Sequence, residues 1–311
     1  MIDIKLLEQL CLCNGISGDE GNVRNLIINE IKDCADDIKT DNLGNLIVFK
    51  KGKKSAKSKL MVSAHMDEVG LMVTDITSDG YLKFDEVGGI DRRVLPGKRV
   101  CVGKNGLNGV IGVKPIHLTN GDEKTAVPKM NDMYIDIGAE SREDALKYVN
   151  YGDGINFEGD FKINGKTVVT KALDDRFGCY VLINLIKSEP EYDMYFTFVV
   201  QEEVGLRGAR PAAFTVNPDF ALVIESTTAA DVAEVDASHQ VCNLSKGATV
   251  TVMDRATVYD KEMISAAFEL AEKNNIAVQY KRAVAGGNDS GAIHQSRGGV
   301  RTLAVSLPSR Y

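Results

Sequence analysis

Tryptophan is absent from this 311-residue chain, and aromatic residues make up only 6% of it. A sugar-binding platform of stacked rings therefore lacks its usual material. No apolar stretch is long enough to span a bilayer as a helix. The opening MIDIKLLEQL has neither the basic n-region nor the apolar h-region of a secretory signal. The six cysteines (Cys11, Cys13, Cys34, Cys101, Cys179 and Cys242) form no CxxC pair and no disulfide-like framework. They read as the reduced thiols of a cytoplasmic protein. Cys11 and Cys13 have no second pair with which to complete a four-ligand structural zinc site. A net charge of −7 argues against a broad nucleic-acid or anionic-membrane surface. The one basic run, KKGKKSAKSK at 50–59, reads as a solvated loop between two strands.

What remains is the composition of a soluble globular protein, 44% hydrophobic and 26% charged. IDIKLLEQLCL has helical apolar spacing. SGDEGNVRNLIINEIKDC follows, with Ser17 and Glu20 spaced as a capping box ahead of a second helix. NLIVFK and KLMVSAH, on either side of the lysine loop, read as strands, the start of a layered α/β domain. From about residue 68 to 164 the texture becomes alternating and turn-rich, as in a small β-rich domain. It is interrupted by a helix expected over SREDALKYV, residues 141–149. The α/β texture then returns. Strands are expected at KTVVTKA, DMYFTFVVQ, FALVIES, IAVQYKR and RTLAVSLP. Helices are expected from LDDRFGCYVLINLIKS, DKEMISAAFELAEKNN and NDSGAIHQSR. The organisation is thus a discontinuous α/β domain, 1–67 and 165–311, with a β-rich insertion over 68–164.

Four expected strands of the α/β domain end in residues that ligate metals and could converge at one rim: LMVSAHMDE at His65 and Asp67, TVVTKALDD at Asp174 and Asp175, TFVVQEE at Glu202 and Glu203, and FALVIES at Glu225. Sites in open α/β sheets form at the carboxyl ends of strands. Taken singly, His65 reads equally as a core or loop histidine, Asp174 as a helix N-cap, and the glutamates as solvated strand ends. Together they suggest a shared cation, because adjacent carboxylates repel and a cation removes the penalty. One imidazole with three carboxylates suits zinc, cobalt or manganese. Asp67 is expected to orient His65 through the other ring nitrogen. One of the paired glutamates is expected to bind metal and the other to take a proton from water.

SAHMDEVG, ALDDRFGC and QEEVGLRGA, in this order, resemble the M42 family of dinuclear metallo-aminopeptidases, the glutamyl and deblocking aminopeptidases sometimes labelled cellulases. The resemblance covers nearly the whole chain. It implies a mixed-sheet α/β/α zinc-peptidase-like catalytic domain with an inserted PDZ-like domain used in oligomer assembly. It implies two divalent ions per subunit, with His65, Asp174 and Glu225 on one, and Asp174 as bridge with Glu203 on the other. Glu202 becomes the general base and Asp67 its catalytic companion. Family members commonly have aspartate where this chain has Glu225. They also continue past LPSRY with IHS, whose histidine ligates the second metal. With Tyr311 the last residue here, the second site is expected to be weak or empty, and truncation is the favoured explanation. AGGNDSGAIHQSRGG resembles a segment near the substrate pocket, which makes Asn288 and Asp289 candidate substrate contacts; a turn with a helix cap explains them equally. The implied activity is removal of N-terminal residues from short peptides by a cytoplasmic homo-oligomer, a twelve-subunit shell in the family. Two rival readings are a non-enzymatic peptide-binding or assembly protein and a glycoside hydrolase built on the paired carboxylates.

Overall fold

The computed structural model describes residues 3–121 and 125–311. In chain order its elements are α1 (Ile4–Leu12), α2 (Gly21–Ile31), β1 (Asp37–Thr40), β2 (Leu46–Lys50) and β3 (Leu60–His65). Next come β4 (Gly70–Ile76), β5 (Leu82–Val87), β6 (Arg99–Val102), β7 (Leu107–Val113), β8 (Met133–Asp136), α3 (Arg142–Ala145) and β9 (Gly154–Phe157). A hairpin, β10 (Lys162–Asn164) and β11 (Thr167–Val169), precedes α4 (Leu173–Lys187), β12 (Met194–Val199), α5 (Ala209–Val216) and β13 (Phe220–Thr228). The last are β14 (Ala248–Val250), α6 (Lys261–Lys273), β15 (Val278–Tyr280), α7 (Ser290–Ile293) and β16 (Arg301–Ser309).

Two compact units result. One comprises the chain up to Cys13, Glu20–Asp67 and Ala172–Tyr311; the other comprises Asn14–Asp19 and Glu68–Lys171. Residues 165–171 and 14–19 thus group with the β-rich segment.

The first unit is built on an eight-stranded mixed sheet of order β1-β2-β12-β3-β13-β16-β14-β15. At its centre β12, β3, β13 and β16 are mutually parallel. Strand β3 is buried along almost its whole length, as expected of a strand covered on both faces, with Ser63 and His65 the polar residues in an otherwise apolar run. Helix α4 packs on β3 and β13, with α1 and α2 beside it. Its Cys179, Leu182, Ile183 and Ile186 recur at the three-to-four-residue spacing of a buried stripe. Ala209, Ala213 and Ile293 from α5 and α7 join Met61, Ala221, Val223 and Ala304 in another core cluster. Asp3 caps α1 by accepting the Leu6 N–H at 3.2 Å.

The second unit is a closed antiparallel barrel of order β4-β5-β8-β7-β6-β9. Leu71, Val73, Ile111, Met133, Ile135 and Ile155 fill it from alternate positions.

Several sequence expectations shift. The expected strand KTVVTKA is only the second arm of the β10–β11 hairpin and does not enter the large sheet. Ser17 and Glu20 do not form a capping box: Glu20 itself occupies the N-cap position of α2 and its side chain makes no cap bond. The helix expected over 141–149 is one turn, capped by Ser141. Beyond it Lys147 and Tyr148 donate three residues back, to Asp144 and Ala145, so the chain tightens into turns. NDSGAIHQSR likewise holds a single helical turn, α7, followed by Arg297 at φ 50° and Gly299 at φ 99°.

Candidate active site

Parallel pairing sets the geometry. Val199 at the end of β12 lies opposite His65 at the end of β3, so Glu202 and Glu203 begin three residues past that level. On the other side Val223 lies opposite Ser63, and two residues further along each strand stand Glu225 and His65. The period of two puts Glu225 on the same face as Ala221 and Val223, and His65 on that of Met61. Three strands therefore deliver a histidine and acids to one rim. Asp174 arrives differently. It sits in the first turn of α4, after Ala172 in the left-handed region at φ 54°, rather than at a strand end. This corrects the expectation of four converging strands.

His65 is buried, and its Nε2 lies 3.1 Å from Asp174 Oδ1 and 3.5 Å from Glu225 Oε1. Its Nδ1 is 3.1 Å from the Asp67 carbonyl oxygen and 3.4 Å from the Asp67 carboxylate. The expected orienting contact to Asp67 is present, with the main-chain oxygen as the nearer partner. The Asp67 carboxylate is turned mainly to other donors, accepting the N–H groups of Glu202 at 3.0 Å and Glu203 at 3.1 Å. Asp175, named in the sequence without a role, is fully buried. It accepts the His65 N–H at 3.3 Å and the Gly178 N–H at 3.0 Å, which ties the start of α4 to the end of β3. The adjacent-acid signal was legible, but this backbone pairing had no signature in sequence.

The electrostatics are those of a crowd of acids. Burial pushes Glu202 up to about 10, with the charges of Glu225, Asp289 and Glu203 adding to it. Burial also raises Glu225 to about 8 and Glu203 to about 7, in each case with Asp174 adding. Asp175 is held well above the carboxylate range by burial and then by the charge of Glu225. Burial alone would lower His65, but the Glu225 charge and the hydrogen bonds to Asp174 and Asp67 hold it well above the imidazole range. Asp174 goes down: burial opposes this, but its hydrogen bond and attraction to His65 prevail.

Among the described residues two donor sets have ligand atoms mutually within 4.8 Å: His65 with Glu202 and Glu203, and His65 with Asp174 and Glu225. Glu225 Oε2 is buried without a hydrogen-bond partner, so a donor atom in the second set has unmet demand. Nitrogen and carboxylate oxygens in this number match the coordination chemistry of a divalent transition metal. The residues present fit such an ion.

Asn288 and Asp289 part company. The Asn288 amide donates to the Tyr259 hydroxyl at 3.0 Å, and its Oδ1 accepts the Ser290 N–H at 2.9 Å. It is occupied in the turn, whereas the N-cap of α7 is Asp289, whose side chain makes no cap bond. Asp289 is fully buried with neither carboxylate oxygen hydrogen-bonded. Burial raises it to about 7; the charges of Asp67 and Asp174 push it the same way, while that of His65 opposes.

A family model described as M42 glutamyl aminopeptidase matches residues 44–311. The chain belongs to the M42 peptidase family. It is 34% identical over 323 residues to the lysyl aminopeptidase of Pyrococcus furiosus, covering 100% of this chain and 90% of that protein. The TET aminopeptidase of a marine-sediment Thaumarchaeota archaeon superposes with a TM-score of 0.94 at 33% identity, covering 99% of this chain and 88% of the other. The TET1 peptidase of Pyrococcus horikoshii, which assembles into a tetrahedron or a large octahedral shell, gives a TM-score of 0.87 at 40% identity, with 99% and 91% covered. This M42 chain is a peptide-bond hydrolase with aminopeptidase function, and its mixed α/β sheet with a small antiparallel barrel is the architecture of those relatives.

Proposed function

We propose that the chain removes N-terminal residues from short peptides at a dinuclear metal centre, with Glu202 as general base. The observation that carries this reading is the buried imidazole of His65 within 3.5 Å of both Asp174 and Glu225, at a rim where Glu202 and Glu203 also offer donors. His65, Asp174 and Glu225 would hold one ion. Glu203, with Asp174 shared, would hold the second. When bound, zinc, cobalt or manganese ions would supply Lewis acidity and make water a nucleophile at neutral pH. Glu202 takes the proton from the attacking water and returns it to the leaving amine. Asp67 fixes the direction of that carboxylate through the peptide N–H of Glu202 and orients the His65 ring from the other side. Glu202 is half-buried, and in the metal-free site its carboxyl is pushed up to about 10 and so holds a proton at neutral pH; the positive charge of a bound divalent ion would lower it toward the range a general base needs. The side chain of Asp174 is 53% exposed, which leaves the rim open to substrate. Asp289, fully buried and raised to about 7, would gain full negative charge when a bound cation lowers it, and that charge suits a substrate ammonium. A homo-oligomeric assembly of the chain is supported by the shells of the P. horikoshii relative.

The test is turnover of a panel of aminoacyl p-nitroanilides with added zinc, cobalt or manganese, before and after chelation. Glu202→Gln should retain metal while kcat falls about 100-fold to 10,000-fold. Chelator-resistant turnover, or near-normal kcat in Glu202→Gln, would overturn the reading.

A further inference from the structure

Immediately past β12 the chain runs through four consecutive residues, Val200 to Glu203, whose N–H groups are all accepted by side chains. Asn45 Oδ1 accepts from Val200 at 3.0 Å and Glu20 Oε1 from Gln201 at 3.1 Å. The two Asp67 oxygens accept from Glu202 and Glu203. The acceptors come from three places: the N-cap of α2, the residue ahead of β2, and the exit of β3. Asn45 is fully buried and Glu20 is 3% exposed. Asn45 also closes the far end of the segment, donating to the Gly208 carbonyl at 2.9 Å, while the Gly208 N–H reaches back to the Val200 carbonyl at 3.0 Å. The ends meet so closely that a Cβ on Gly208 would lie 2.3 Å from Asn45 Oδ1. Within the loop Gln201 adopts φ 56°, a left-handed conformation that a non-glycine residue holds only when its surroundings over-determine it.

We infer that Glu20 and Asn45 are positioning residues that fix the Val200–Gly208 loop and so aim the carboxylate of Glu202. The assignment rests on the reading of Glu202 as general base. The physical reason is that a proton-transfer group is effective only within a narrow range of distance and angle, and a misplacement of about 1 Å costs on the order of 100-fold. Asp67 holds the two glutamates locally. Glu20 and Asn45 hold the residues just upstream and the loop closure just downstream, so they set where the Asp67-bound pair can lie. Glu20 acts through its acceptor oxygen; a neutral acceptor of the same shape performs the same task. That distinguishes positioning from a charge effect.

The experiment compares Glu20→Ala, Glu20→Gln and Asn45→Ala as metal-loaded proteins, with amide hydrogen exchange of the 198–209 segment measured on the metal-free forms. Glu20→Ala and Asn45→Ala should lower kcat about 10-fold to 100-fold, with KM within about two-fold and metal content unchanged. Exchange at 198–209 should quicken. Glu20→Gln should recover most of both. Wild-type kcat in folded Glu20→Ala, or Glu20→Gln as impaired as Glu20→Ala, would overturn the inference. The exchange arm is independent of turnover. If the wild-type protein released no N-terminal residue, the general-base reading would fall; if exchange were unchanged in Glu20→Ala, the positioning role itself would fall. Should Asn45→Ala not fold, the two Glu20 variants decide the matter.

Discussion

Asp67 holds the peptide N–H groups of Glu202 and Glu203 at once, one carboxylate oxygen on each, at 3.0 and 3.1 Å. Replacing it by asparagine keeps the shape but turns one acceptor into a donor that faces an N–H. Asp67→Asn should therefore weaken metal affinity about 10-fold to 100-fold and lower kcat by a similar factor. Metal titration and steady-state kinetics check this; wild-type values in both would show that the bidentate contact is dispensable.

The pH dependence of stability follows from the same crowding. In the folded, metal-free protein Glu203, Glu225 and Glu202 bind protons up to about 7, 8 and 10, well above the ordinary carboxyl range. The folded state then carries more protons than the unfolded state across that interval, so stability falls as pH rises. His65, also raised, acts in the same direction. Asp174, lowered, acts oppositely, and only at acid pH. Melts in chelator should give a lower Tm at about pH 9 than at about pH 6. Added divalent metal should flatten the slope, because it takes the place of the protons. A Tm that rises over this interval would contradict the burial of these acids.

Gly178 lies in α4, where alanine would ordinarily help by about 1 kcal/mol. Here its Cβ would sit 2.2 Å from Asp175 Oδ2, a fully buried oxygen. The clash should dominate: Gly178→Ala is expected to cost about 1–3 kcal/mol in denaturant unfolding. It should also weaken metal binding, since Asp175 holds the His65 N–H.

Arg176, fully buried and next in sequence after Asp175, donates to the carbonyls of Met66, Leu10 and Cys13. Arg176→Met strands those acceptors and should lower unfolding free energy by about 3 kcal/mol or more. Arg176→Lys should recover only part, because an ammonium lacks the planar fork. Urea titrations of the three proteins test the ranking.

The legible part of the fold was whatever one strand or helix settles alone. The apolar runs ending in His65, Glu202 and Glu225 betrayed strands, and the turn-rich stretch after Glu68 betrayed a β unit. Less legible was whatever depends on a partner. KTVVTKA has strand-like residues, yet its register is set by the neighbouring hairpin arm. Glu20 looked like a capping-box glutamate because spacing alone cannot show that its carboxylate is spent on Gln201, 181 residues away. The acids of the site were readable by type. The side chains holding their backbones, Asn45 and Asp175 among them, were not, because long-range acceptors to main-chain N–H groups leave no periodic trace.

Barrel closure bears on how copies of this chain can meet. Among the described residues β9 pairs back to β4 and closes the strand order, although β5 and β8 meet at one position only, Leu82 opposite Ile135. The large sheet, by contrast, ends in β1 on one side and β15 on the other. Strand-by-strand recruitment of a neighbour has two clear edges in the large sheet, β1 and β15. Contacts made by the barrel's exposed side chains and loops are open to retuning by surface substitution without disturbing its internal pairing.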